Sequence, residues 1–88
     1  MKFQEFQDLN LKENQKVNVF CNFNGISQSF AIGIISKIRI KKYKRYHERL
    51  NEKNYYKLII KYDTPDWEHG VVEADIDSYL IEEVKILN

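Results

Sequence analysis

Apolar and polar residues alternate along most of this chain. In Val17-Asn18-Val19-Phe20-Cys21-Asn22-Phe23, the residues Val17, Val19, Cys21 and Phe23 share one side, which predicts a half-buried first strand. Asn24-Gly25 follows as a turn signal, because both residues tolerate positive φ. From Phe30 the apolar positions are 30, 32, 34, 38 and 40, with Lys37, Arg39 and Lys41 on the opposite side. This predicts a second strand with Phe30, Ile32, Ile34, Ile38 and Ile40 facing inward, and with a bulge or sharp bend at Gly33. Tyr56, Leu58, Ile60 and Tyr62 predict a third strand with Lys57 and Lys61 outward. Asp63-Thr64-Pro65-Asp66 reads as a turn, its proline suiting type I. Val72, Ala74 and Ile76 predict a short fourth strand, and Asp77-Ser78-Tyr79 a single helical turn. Val84 and Ile86, with Leu80 as a further candidate, predict a fifth strand.

Two segments depart from the alternation. In residues 2–10, Phe3, Phe6 and Leu9 fall at three-residue spacing, which predicts a short amphipathic helix serving as a lid over one open end of the core. Residues 1–11 are thus an N-terminal extension to the strands. Residues 41–54 form a polar, basic insertion with neither Gly nor Pro. Its run from Tyr43 to Leu50 is open to three readings: a short helix, an extended hairpin tip or a mobile arm.

Composition agrees with strands, since eleven Ile and six Tyr stand against two Ala. Together with eleven Lys and eight Asn, these are residues that AT-rich coding favours. The expected setting is the cytoplasm of a low-GC bacterium, with a phage or plasmid as an alternative origin. At 88 residues the chain is expected to form one domain, 1–88, too short for separate cofactor and substrate domains. The single cysteine excludes an internal disulfide. No stretch approaches the ~20 apolar residues of a membrane span, and no apolar signal region opens the chain, so no membrane partner is expected.

Charge changes the picture more. The net charge is only +1, but it is unevenly distributed. Residues 1–36 balance. Residues 37–57 carry nine basic against two acidic side chains, a net +7, and residues 58–88 carry two basic against eight acidic, a net −6. Such a chain is strongly dipolar, and the fields near each face govern its encounters.

Five short strands, a long excursion between the second and third, and a helical turn before the last predict a mainly β fold, a five-stranded SH3-like barrel. The residues carry a resemblance as well. Leu11-Lys12-Glu13-Asn14-Gln15-Lys16-Val17 resembles the approach to a first barrel strand, and Phe30-Ala31-Ile32-Gly33-Ile34-Ile35-Ser36-Lys37-Ile38 is similar to the second strand of Tudor-type domains. Tyr56 to Asp63, then Glu68, Val71 and Asp75-Ile76, is similar to their closing pattern. The resemblance to the Tudor and KOW small barrels covers about residues 11–87 and implies a fold more than a function. Val17-Asn18-Val19-Phe20 and Asn24-Gly25 also resemble the opening of bacterial Sm-like RNA chaperones, but the spacing from Gly25 to Gly33 is too long for that family.

Catalytic chemistry finds little support, and no catalytic residue or cofactor is expected. His47 and His69 have no credible nucleophile beside them, Cys21 falls on the inward side of a strand, and three glycines cannot build a phosphate cradle. Asp63, Asp66, Glu68 and His69 have the chemistry of divalent-ion ligands, but their spacing matches no known loop, so they read as a solvated acidic turn with no metal. The basic segment is the leading candidate for function. Lys37, Arg39, Lys41, Lys42, Lys44, Arg45 and Arg49 can neutralise phosphates, while Tyr43 and Tyr46 offer faces on which bases stack. The expected function is therefore non-enzymatic binding of DNA or RNA, or of a nucleic-acid-handling protein. A solvated, lysine-protected strand edge is the plain alternative.

The acidic third supports an opposite reading. Asp63, Asp66, Glu68, Glu73 and Asp75, with Trp67 as an anchor, would form a protein interface that blocks the basic groove of a host or defence nucleic-acid enzyme, as a phage-type inhibitor would. Self-association through the +7 and −6 segments is a third expectation. Trp67 itself is open to three readings: a core plug, an interface anchor, or one wall of an aromatic cage with Phe23 and Tyr62.

Overall fold

The alternating segments pair into one antiparallel sheet. A computed structural model of the chain describes residues 1–47 and 52–87, with side chains at 1–44 and 53–87. Helix α1 (Phe3–Leu9) precedes strands β1 (Lys16–Phe23), β2 (Ile26–His47), β3 (Glu52–Asp66), β4 (Val71–Asp77) and β5 (Ile81–Ile86). The strand order is β4-β3-β2-β1-β5. The sheet is open, with β4 and β5 as its edges. Those edges are nonetheless joined by the short turn Ser78–Leu80, so the sheet curls at that end. There the Ser78 amide donates to Tyr56 O on β3 at 3.0 Å and the Asn22 amide on β1 donates to Leu80 O at 3.1 Å.

Inside the curl, β1 and β3 keep the expected phase. Val17, Val19 and Cys21 are fully buried, as are Tyr56, Leu58 and Ile60. Asn24 and Gly25 turn the first hairpin, both at positive φ (54° and 82°). The Asn22 side chain braces the turn by accepting from the Gly25 amide at 3.0 Å.

The second strand corrects the sequence expectation. Ala31, Gly33 and Ile35 are buried, while Phe30, Ile32 and Ile34 face outward with 42–43% of their surface exposed. The cause is a bulge at Ser36. Ile35 lies opposite Ile60 and Lys37 opposite Ile59, so Ser36 is an extra residue that resets the inward positions from odd to even numbers. After it Ile38 packs on the core, and Ile40, farther out, is exposed. Gly33 is not the bulge. It lies in regular register between Val17 and Tyr62, and a Cβ there would run into the Lys61 carbonyl, so the glycine serves close backbone approach.

Three further boundaries shift. The turn expected at residues 63–66 belongs to β3, and the chain reverses at residues 67–70, where Gly70 has φ 71°. Proline has no N–H to give to a ladder, and Pro65 falls in the break between the pairs Lys61↔Glu73 and Asp66↔Val71. In β4, Ala74 and Ile76 are buried but Val72 is exposed. In β5, Ile81 and Val84 are both buried although three residues apart, because Glu82 is an extra residue between the pairs Cys21↔Ile81 and Phe20↔Glu83, and Ile86, in phase with Val84 at the end of the strand, is exposed.

The helix lies over the core as expected. Seven residues are too few for an independent helix, so packing must hold it. Phe6 is buried and stacks on Tyr56 with ring centroids 3.9 Å apart and planes 10° apart, and Phe3 leans on both rings. Asn10 ends the helix in the left-handed region, and the Tyr56 hydroxyl donates to Met1 O at 3.1 Å.

Three substitutions test these placements by urea unfolding. Ile35→Ala is expected to cost about 2–5 kcal/mol, as a buried large-to-small change does. Ile32→Ser, outward in the same strand, should cost under about 1 kcal/mol, and a reversed order would disprove the bulge at Ser36. Phe6→Ala should cost about 3–5 kcal/mol by removing the ring stacked on Tyr56.

Candidate nucleic-acid interface

Beyond the Ser36 bulge, β2 and β3 continue as a hairpin. The residues 41–54 thus adopt the extended-hairpin reading where they are described, with Lys41 opposite Tyr55, Lys42 opposite Asn54 and His47 opposite Glu52. β1 leaves β2 at Ile34 and β4 leaves β3 at Lys57, so the outer part of the hairpin has only its own two strands.

Alternation then sorts the basic segment into two faces. Leu58 and Tyr56 are inward, and Ile38, Ile40 and Lys42 share their side. Lys37, Arg39 and Lys41 lie opposite Ile59, Lys57 and Tyr55 on the outer side. Tyr43 joins that outer side, its ring stacked on Tyr55 at 4.3 Å with 27° between planes. Lys53, two residues before Tyr55, falls on it too. Lys42, opposite Asn54, goes to the opposite face, and Lys44 falls in the register break between the pairs Lys42↔Asn54 and His47↔Glu52. Arg49 lies outside the described residues, as do the side chains of Arg45 and Tyr46.

The outer face therefore carries a ladder of cations beside a tyrosine pair. Residues two apart on a strand are about 6.6 Å apart, so Lys37, Arg39 and Lys41 span roughly 13 Å. All three are exposed, as is Lys53, and among the described residues none of the four has an ion-pair partner. Lys57 is different, lying 3.7 Å from Asp75 and 3.6 Å from Asp77 on β4. Lys53 and Tyr55 belong to the basic 37–57 segment but not to the residues expected there to make phosphate or base contacts. Their signal was the alternation of 53, 55 and 57 running back from Lys57, which becomes legible once the segment is known to be strand.

The acidic residues divide between pairs within the chain and the edge strand β4. Asp63 pairs with Lys16 at 3.0 Å, and Asp66 holds the His69 ring at 2.6 Å. Glu73 and Asp75 lie opposite Lys61 and Ile59, forming an acidic edge along β4. Asp66, Glu68 and His69 bring ligand atoms within 4.8 Å of one another, all exposed, and the contact between Asp66 and His69 accounts for that grouping. Trp67 is not a core plug, being 76% exposed. Among the described residues it makes no ring contact, and Phe23 instead packs on Phe30 at 5.6 Å, so the cage is not assembled.

The chain matches no family model, no curated protein and no solved structure. No helix of the described residues is long and apolar enough to cross a membrane. A depression of about 310 Å³ between α1 and the β4–β5 turn shares no residue with the basic face.

Cys21 lies in the core, where burial pushes its thiol above the usual value of 9.0. It should resist alkylation in the native state and react fully in urea. Because its folded pKa is raised, the unfolded chain loses that proton first, and stability should fall as pH rises above about 9. Cys21→Ser, which stays neutral there, should flatten the alkaline fall in a pH series of urea midpoints.

Proposed function

We propose that this chain is a non-enzymatic binding module of the SH3-like small-barrel kind that engages nucleic acid through the outer face of its β2–β3 hairpin. For the fold reading, support comes from the strand order, in which β5 returns beside β1 and a short turn joins β4 to β5. For the function, one observation carries the reading. Lys37, Arg39, Lys41 and Lys53 share one exposed face with the Tyr43–Tyr55 stack, and none of these cations is neutralised by a described carboxylate. Unpaired cations on a strand ladder favour a polyanion, because each phosphate contact releases condensed counterions.

The inhibitor reading has less behind it. Its carboxylates at Asp63, Asp66 and Asp75 already hold partners within the chain, so a basic groove would have to displace Lys16, His69 and Lys57. Exposed ion pairs are weak, but their net field at a distance is small.

Fluorescence anisotropy with labelled oligonucleotides tests the proposal. Three to four phosphate contacts predict that binding to a single strand weakens roughly 20- to 50-fold between about 50 and 200 mM salt. Reversing Arg39 and Lys41 to Glu should abolish binding, whereas Glu73→Lys and Asp75→Lys should preserve or strengthen it. The opposite pattern, or no binding at low salt, would refute the nucleic-acid reading.

A further inference from the structure

We infer that the hairpin face takes single-stranded nucleic acid in preference to duplex, an inference that rests on the nucleic-acid reading above. The width of the cationic strip is the first argument. It covers β2 and β3, which lie about 4.8 Å apart. The next strand, β4, presents Glu73, Asp75 and Asp77 on the same side, and two of these carboxylates hold Lys57 at 3.7 and 3.6 Å. From the ladder on β2 to the carboxylates on β4 is therefore about two strand spacings, roughly 10 Å.

A single phosphate backbone fits along such a strip. A duplex brings a second row of phosphates, across a groove about 6 Å or 12 Å wide. With the first row on Lys37, Arg39 and Lys41, the second falls toward the carboxylates of β4 or beyond the free edge of β2. One side repels it, and on the other the outer-face cations Lys16 and Lys85 lie back on β1 and β5, level with Ile34 and Ile32 and short of the projecting ladder, with Lys16 already holding Asp63.

The second argument is the tyrosine pair. Tyr43 and Tyr55 stack at 4.3 Å on the same face as the ladder and both remain partly exposed. An aromatic pair of this kind extends by one more ring when a base is free to leave its own stack, which an unpaired strand allows and a duplex resists. Phosphates on Lys37 to Lys41 and a base on the tyrosines describe two to three nucleotides of an extended strand. The chemistry is common to DNA and RNA, since neither the ladder nor the rings require or exclude a 2′-hydroxyl.

The test uses the full chain and four labelled ligands of one length: single-stranded DNA, single-stranded RNA, duplex DNA of the same sequence, and a DNA strand of abasic spacers that keeps the phosphates but lacks bases. Binding to either natural single strand at least tenfold tighter than to duplex, with the abasic strand weakened about tenfold, is the expected result, and the DNA and RNA arms identify which strand is favoured. Tyr55→Leu, checked for an unchanged circular dichroism spectrum, should weaken the natural strand about tenfold and leave the abasic strand unaffected. Duplex binding equal to or tighter than single-strand binding would overturn the inference while leaving the nucleic-acid reading intact, and would point to the hairpin entering a groove with Lys42 and Lys44 also engaged. Equal affinity for natural and abasic strands would overturn it as well, by removing the bases from recognition. Absence of binding to all four ligands would instead overturn the reading on which the inference rests.

Discussion

The extra residue at Ser36 governs how the rest of this molecule presents itself. A strand that alternates strictly from Phe30 to Ile40 would put Ile32, Ile34, Ile38 and Ile40 on one side and Ile35 on the other. With Ser36 bulged, the same strand buries Ala31, Gly33 and Ile35 under its first half and turns Ile38 inward under its second. Gly33 suits the point where β1 and β3 both flank β2 and the Lys61 carbonyl lies against it. The bulge therefore lets one 22-residue strand serve two neighbours and bend between them. It also decides that Lys37, Arg39 and Lys41 point away from the core together.

This constraint explains which parts of the fold were legible in the sequence. β1 and β3 were readable because Val17, Val19 and Cys21, and Tyr56, Leu58 and Ile60, alternate without interruption through the core. β2 was readable as a strand but not in phase. Its even positions are apolar on both sides of Ser36, and a period-two pattern holds no mark of an inserted residue. Glu82 hides a further insertion in β5, which puts Ile81 on the same face as Val84. Pro65 drew the expected turn too early, because proline marks a ladder break as readily as a reversal. The helix was legible from Phe3, Phe6 and Leu9, whereas its partner Tyr56 comes from a strand fifty residues away in sequence.

The candidate site was legible as a segment and not as a surface. Summing charge over residues 37–57 identified the basic run but counted Lys57, whose charge is opposed by Asp75 and Asp77, and grouped Lys41 with Lys42, which face opposite ways. Strand pairing is what separates them. It also brings Lys53 and Tyr55, both inside the 37–57 window, from the returning strand onto the face of Lys41 and Tyr43. The acidic third behaves in the converse way. Its charge of −6 is real, yet part of it is opposed at close range by Lys16 and Lys57, so its far field is weaker than its sum.

A division of labour within one sheet follows from these placements. The curled half, closed over by Phe6 on Tyr56, supplies the buried surface that stability requires. The projecting half of the hairpin is freed from β1 and β4 and buries little, so its side chains can be chosen for charge and ring faces instead of volume. Continuity of β2 and β3 through both halves holds the two together. The ladder that orders Leu58 against Ile38 is the same one that sets Arg39 against Lys57 and Lys41 against Tyr55. Cations on such a ladder are spaced by backbone geometry rather than by their own contacts. That removes part of the ordering entropy a flexible lysine tail would lose on binding a phosphate backbone.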